Sequence, residues 1–289
     1  MEEKSRKRDN LWKKAYRKYL KDRVGLFALA IVVFYAVLAI GSSLEFWAAG
    51  WDELYVDEGR SGPSWDYFFG TNINGQDVFQ RAIYSSKTAF EVGLVVALMA
   101  TALGALVGCV AGFYNGKWLD EAILWVMGSI DCIPFYLFVA AVGFAFSESE
   151  YAMHIAMIAT FWTGSGRLVR GEVIKLKHFE FVEAAYAIGV PSRLIMFKHI
   201  LPNTFHILLV QATITFVGAI KSEVILSFLG LGVKDGISWG LMIAEASSEL
   251  SAGHYNNFLA ASGFLFVLVM AFNLFSDSLQ DALDPRKVT

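Results

Sequence analysis

Residues Val92 to Gly116 read VGLVVALMATALGALVGCVAGFYNG, without one charged side chain between Glu91 and Lys117. Crossing roughly 30 Å of hydrocarbon takes about 20 consecutive apolar helical residues. A backbone amide in lipid has no water to bond, so the run must satisfy its own hydrogen bonds as a helix. This stretch therefore reads as a transmembrane helix, and the same test applied outward finds five more. Val24 to Leu44 is charge-free between Arg23 and Glu45, and Leu250 to Ser276 between Glu249 and Asp277. Ala122 to Ser147 is interrupted only by Asp131, and Phe205 to Gly230 contains Lys221 and Glu223. Tyr151 to Gly166 is short and completes a crossing if Arg167 and Arg170 snorkel to the interface. The expected fold is all-α, a polytopic membrane protein with six transmembrane helices.

Composition agrees with the run lengths. Of 289 residues 56% are hydrophobic and only 18% charged, against about 25% charged in soluble domains. A net charge of −3 supplies no global basic field for nucleic acid. Cys109 and Cys132 both lie in apolar runs, which argues against a disulfide framework or a thiolate metal site.

Orientation follows from the basic residues. Ten Lys/Arg precede the first span, against four acids, which places the N-terminus in the cytoplasm. With alternating spans, 19 of the 24 Lys/Arg fall on inside segments and four (Arg60, Arg81, Lys87, Lys234) outside, so both termini are expected to be cytoplasmic. The chain divides into a basic tail (1–23), a first span (24–44), an extracytoplasmic segment (45–88), a five-helix core (89–276) with a long inside loop (167–203), and a cytoplasmic tail (277–289). In the first tail Trp12, Tyr16, Tyr19 and Leu20 recur at helical spacing among the basic residues. That pattern describes either an amphipathic helix on the inner membrane surface or a solvated tail that only sets topology.

Sites for intrinsic chemistry are not legible. Gly112 to Trp118 is one residue short of a phosphate-binding loop and has Trp where the magnesium-ligating Ser/Thr belongs. The five histidines show no paired metal spacing, and Ser165 between Gly164 and Gly166 lacks the strand-turn-helix context of a nucleophile elbow. The chain is thus not expected to be an enzyme or to bind a cofactor itself. Gly104, Gly108 and Gly112 repeat every four residues and strip one helix face of side chains, inviting a close helix partner in this chain or another.

The inside loop holds the most specific pattern. Phe181, Ala184, Ala185 and Ile188 lie at i, i+3, i+4 and i+7, an amphipathic helical stripe. Gly189 suits a left-handed helix end, Pro191 turns the chain, and Ser192 can cap a second short helix that stops before Pro202. A stripe this short needs either a protein groove or the ends of the spans to cover it.

Glu183-Ala184-Ala185, followed by Gly189 and closing on Leu201-Pro202, resembles the "EAA" loop of binding-protein-dependent ABC importer permeases. Further segments resemble the peptide and nickel branch of that family, specifically the C-type subunit of dipeptide and oligopeptide importers. They are Gly70-Thr71 with Gly75, Asp77 and Arg81; Leu226-Ser227-Phe228-Leu229-Gly230-Leu231-Gly232 with Trp239-Gly240; Phe272-Asn273-Leu274; and Asp281-Ala282-Leu283-Asp284-Pro285-Arg286. Two positions depart from the branch pattern: Asn72 and Gln76 stand where Asp and Arg are usual.

The resemblance implies a type I ABC importer permease fold in the bacterial inner membrane. It implies a second homologous permease, an extracytoplasmic substrate-binding protein and two ATPase subunits that hold ATP and Mg. Ala184, Ala185 and Ile188 are then expected to make the apolar contact with an ATPase, Glu183 a charged or capping contact, and Gly189 the bend. A charge at the bilayer centre costs at least about 2.5–3.5 kcal/mol, so Asp131, Lys221 and Glu223 should face protein or water. Either Glu223 or Asp131 lines the substrate path and meets a cationic group, or these charges pair between helices. A secondary transporter and a permease for nickel or another solute are the alternative functions.

Overall fold

The computed structural model describes residues 11–55, 58–146 and 149–283. The basic residues Lys4 to Arg8, Asp57, Ser147 at the end of the expected third span, the side chain of Trp12 and the closing Asp284-Pro285-Arg286 lie outside that description. The described residues form helices α1 (Leu11–Tyr19), α2 (Arg23–Ser43), α3 (Val78–Phe113), α4 (Trp118–Asp131), α5 (Phe135–Ala145), α6 (Ala152–Leu176), α7 (Glu180–Ala187), α8 (Ser192–Leu194), α9 (Phe205–Phe228), α10 (Trp239–Leu250) and α11 (Asn256–Leu283).

Four continuous helical runs among them are long and apolar enough to cross a membrane: Arg23–Ser43, Val78–Phe113, Ser192–Phe228 and Asn256–Leu283. The pair α4 and α5 makes a fifth candidate, bent by 90°. The single span expected over Ala122 to Ser147 is therefore two helices. The break falls at Cys132, Ile133 and Pro134, because proline lacks the N–H for the next helical bond and pushes the residue before it out of the helical region. Helix α6, 25 residues and so about 38 Å long at 1.5 Å per residue, carries Arg167, Arg170, Glu172 and Lys175 in its last turns.

Helix α3 is the backbone of the assembly. It starts at Val78, fourteen residues before the charge-free run, because Asp77 caps it: the carboxylate accepts from the amides of Phe79 (2.8 Å) and Gln80 (3.3 Å). Its 36 residues extend about 54 Å, longer than the hydrocarbon, so the first turns stand in a polar cap. Helix α3 therefore begins inside the expected outer segment 45–88.

α3 packs most extensively on α6. A Cβ on Gly104 would lie 2.6 Å from the Ser165 Cβ, one on Gly108 2.3 Å from the carbonyl oxygen of Gly166, and one on Gly112 2.7 Å from that of Arg170. The three glycines thus face a helix of the same chain. On its other sides α3 meets α2, α9 and α11 around Val78, Ala82, Ala89, Phe216, Trp239, Met242 and Phe272. Phe216 and Phe272 stack at 4.1 Å, and Trp239 donates its indole N–H to the Ala82 carbonyl at 3.0 Å.

Contacts between distant segments define the two ends of the bundle. At one end α1 lies on the last turns of α11: the Lys18 ammonium reaches the Asp281 carbonyl at 2.6 Å, and Tyr19 meets Phe275 edge-on. Tyr19 is buried and donates to the Gly25 carbonyl, while Tyr16 and Leu20 are exposed. The aromatic stripe of the tail is thus divided between an internal contact and the surface. Asp22 caps α2, and its carboxyl is held below the usual range by hydrogen bonds from Ser278 and from the Gly25 and Val24 amides. The loop containing α7 sits at this same end, where the Cys109 thiol approaches the Met196 carbonyl.

Candidate functional site

Helix α7 starts at Glu180 with Glu180 and Glu183 in its first turn, where acids complement the positive end of the helix dipole. It ends in a paired cap: the Val190 amide reaches the Ala185 carbonyl and the Gly189 amide the Tyr186 carbonyl, both at 3.0 Å. Gly189 has φ +80° with open space where a Cβ would stand. The backbone angle, not crowding, calls for glycine there.

After Pro191 the chain does not form a short helix that stops before Pro202. It passes through α8, a π-helical stretch Ile195–Ile200 and a 3-10 turn Leu201–Thr204 directly into α9. The wider and tighter turns accommodate a proline that a regular α-helix would exclude, since Pro202 has no N–H and its ring crowds the preceding turn. The loop is therefore joined to α9 without a flexible connection.

Which α7 side chains face outward is decided by the packing beneath. Val182 and Ala185 are buried with Val169, Val173, Leu176, Ile195, Met196 and Ile200. Phe181, Glu183, Ala184 and Ile188 are exposed, Ile188 by 80%, and Phe179 and Tyr186 flank them. Ala185 thus belongs to the internal core rather than to the outward face. The Glu183 carboxylate makes no hydrogen bond among the described residues.

The three charges within spans have three different surroundings. Asp131, at the α4–α5 break, accepts from Thr163 Oγ1 at 2.8 Å and from Arg167 Nη2 at 2.7 Å, with the ion pair a little under half exposed. Glu223 is 1% exposed and accepts from Ser227, one turn on, and from Ser238. Lys221 is exposed, with no partner among the described residues. Arg167 and Arg170, expected to reach for the interface, both pair with carboxylates of α4. Arg167 is held by Asp131, and Arg170 Nε and Nη2 grip the Asp120 carboxylate at 2.6 and 2.8 Å.

At the end of the bundle opposite α1, the residues that depart from the branch pattern form a neutral amide pair. Asn72 Nδ2 donates to Gln76 Oε1 at 2.8 Å, and Gln76 Oε1 also accepts from Arg81. Arg81, 2% exposed, bonds Glu245 of α10 at 2.6 Å, and Glu249 accepts from the Ile73 amide at 2.7 Å. This network ties the outer segment and the first turns of α3 to α10.

Residues 104–289, including the α7 loop and the whole of α9 to α11, match the family model described as "binding-protein-dependent transport system inner membrane component". The chain belongs to this family. The inner membrane component is 33% identical over 274 residues to the dipeptide transport system permease protein of Bacillus subtilis, covering 94% of this chain and 85% of that protein. It is 31% identical to the oligopeptide transport system permease protein of the same organism, covering 98% and 92%. It is 30% identical to that of Haemophilus influenzae, covering 96% and 89%. Membership in a binding-protein-dependent system sets aside the secondary transporter.

Sequence reasoning missed several residues of this inner membrane component. Asp120, Thr163, Glu245 and Glu249 each bond a group that is distant in the chain. The cap Ser238, whose hydroxyl accepts from the Leu241 amide at 3.2 Å, was a readable signal for α10. No group of three or more His, Cys, Asp or Glu able to hold a metal occurs among the described residues.

Proposed function

We propose that this chain is one permease subunit of an ATP-driven importer that moves peptides, delivered by an extracytoplasmic binding protein, into the bacterial cytoplasm. The observation that carries this reading is the end-to-end similarity to proteins named as dipeptide and oligopeptide transport permeases. In it the chain crosses the membrane six times, with α4–α5 and α6 supplying two crossings and both termini in the cytoplasm. A second homologous permease completes the channel, and two ATPase subunits hold ATP and Mg.

The outward side chains of α7, Phe181, Ala184 and Ile188, dock in a groove of one ATPase, and Glu183 meets a basic group beside them. The rigid passage from α8 to α9 carries the motion of the docked helix into the bundle. Of Asp131, Lys221 and Glu223, Lys221 is the one without a partner among the described residues. It faces the second permease or the water-filled path, whereas Asp131 and Glu223 are held by groups of their own chain.

Uptake of labelled di-, tri- and pentapeptides by cells with and without this chain tests the reading. Chain-dependent uptake of peptides is expected, and Ile188→Asp is expected to reduce it at least tenfold with the permease still in the membrane. Chain-dependent uptake of a nickel chelate instead would reassign the cargo. Undiminished peptide uptake by Ile188→Asp, or by Glu183→Arg, would overturn the docking role.

A further inference from the structure

Helix α1 commits one face to the protein and leaves the other uncovered. Ala15 and Tyr19, one turn apart, are buried, with Tyr19 edge-on to Phe275 and donating to the Gly25 carbonyl. These contacts lie beside the last turns of α11 and the first turn of α2. Because α2 and α11 are both long and apolar enough to cross a membrane, α1 is held at the rim of the bundle, where hydrocarbon gives way to headgroups.

The uncovered face is graded around the helix. At 3.6 residues per turn, Tyr16 and Leu20 form one edge, Lys13 and Arg17 the middle and Lys14 the far edge, with Lys21 in the turn that follows. All six are exposed, and the Leu20 amide still bonds the Tyr16 carbonyl at 3.0 Å, so the helical spacing holds that far. From Leu11 to Arg23 the chain carries six Lys/Arg and one acid, Asp22. That acid is already engaged, since its carboxylate accepts from the Val24 amide at 3.0 Å and from the Ser278 hydroxyl. Lys13, Lys14 and Lys21 have no hydrogen-bond or ion-pair partner among the described residues.

We infer that this face of α1 binds anionic phospholipid. Tyr16 and Leu20 enter the acyl and glycerol region, and Lys13, Lys14 and Lys21 meet the headgroup phosphates, the division by depth that an interfacial helix with long basic side chains adopts. An acidic soluble partner would answer the ammonium groups and leave the apolar edge uncovered. A zwitterionic lipid would cover that edge but offer a phosphate whose charge its own headgroup already balances. Each Lys or Arg beside an anionic membrane surface adds about fivefold to binding, so three acting together select strongly for negative lipid. Placing the face in the cytoplasmic leaflet rests on the proposed topology; the binding itself does not.

Native mass spectrometry of the detergent-purified full chain, titrated with phosphatidylglycerol or with phosphatidylcholine of the same acyl chains, tests the inference. The chain is expected to retain phosphatidylglycerol at least tenfold more tightly. Lys13→Gln, Lys14→Gln and Lys21→Gln combined are expected to lower that affinity at least tenfold and leave phosphatidylcholine unchanged. Tyr16→Ser with Leu20→Ser is expected to weaken both lipids at least threefold. If the triple variant is not monodisperse, Lys13→Gln with Lys21→Gln takes its place, with at least a fivefold loss expected. Equal retention of the two lipids, or undiminished phosphatidylglycerol binding by the basic-residue variant, would overturn the inference. So would displacement of the lipid by glycerol phosphate, which would make the face a plain anion site. Undiminished lipid binding by the Tyr16→Ser, Leu20→Ser variant would also overturn it, since charge alone fits an acidic soluble partner as well. The titration involves neither sidedness nor cargo, so failure of the topology or of the importer reading leaves each of these outcomes as it stands.

Discussion

Arg170 on α6 holds Asp120 on α4 through two parallel hydrogen bonds, and the carboxylate is 3% exposed. The Asp120 oxygens also accept from the Gly116 amide and the Asn115 side chain, so the turn between α3 and α4 hangs on this one group. Three turns further along α4 and one turn back along α6, Arg167 and Asp131 repeat the pairing with a single bond and over 40% exposure on each side.

The two pairs should therefore differ in value. Removing one partner of a buried ion pair strands the other charge and costs about 3–5 kcal/mol, whereas exposed pairs contribute roughly 0–1 kcal/mol. Asp120→Ala is expected to destabilise the purified permease by about 3 kcal/mol, and Asp131→Ala by less than about 1 kcal/mol. Thermal unfolding in one detergent, with Arg170→Ala and Arg167→Ala completing the two mutant cycles, measures both. Equal losses at the two sites would contradict the assignment.

The contact between α3 and α6 makes a second prediction. A methyl group on Gly108 would approach the Gly166 carbonyl to 2.3 Å, and the clash is with backbone, which cannot rotate away. Overpacking of this kind typically costs about 1–3 kcal/mol, so Gly108→Ala should lower stability by at least about 2 kcal/mol. Gly128, also helical, has open space at the same position. There the change to alanine only removes backbone entropy and should stabilise by about 0.5–1 kcal/mol. Opposite signs at the two glycines are the expected result.

Acid should act at the start of α2. The Asp22 carboxyl is held below its ordinary range, chiefly by the Ser278 hydroxyl and then by backbone amides. A carboxyl depressed on folding contributes stability above its unfolded value, and that contribution disappears as pH falls through the folded one. The permease should lose melting temperature on acidification below about pH 4, and Asp22→Asn should flatten that part of the curve. A variant curve parallel to the wild type would remove Asp22 from the account.

How far the sequence could be read depends on whether a feature is local. Charge-free length identified α2, α3 and α11, and Gly189 with Pro191 marked the bend. Two local signals were present but outweighed by hydropathy: Pro134, which divides α4 from α5, and Asp77, which starts α3 among polar residues. The passage through Pro202 was not readable, because the burial of Ile195, Met196 and Ile200 with Val182 and Ala185 of α7 is a contact that spacing and hydropathy do not show. The partners of Arg167, Arg170, Arg81 and Glu223 were equally hidden, since helical spacing says which side chains share a face but not what lies opposite.

Ala184 and Ala185 put that distinction to the sharpest test. They are adjacent, chemically identical and part of one apolar stripe, yet Ala184 is exposed and Ala185 is 5% exposed against the Val169, Val173 and Ile195 core. An aspartate at 185 would bury a charge with no partner in place, an arrangement that a folded chain tolerates poorly. Ala185→Asp is therefore expected to lower the amount of permease recovered from membranes severalfold. Ala184→Asp should leave that amount unchanged while cutting peptide uptake and the ATPase activity coupled to it at least fivefold, because it places the charge on the face proposed to dock on the ATPase. Membrane abundance read against uptake separates the two variants, and a shared phenotype would mean that α7 does not present the face described.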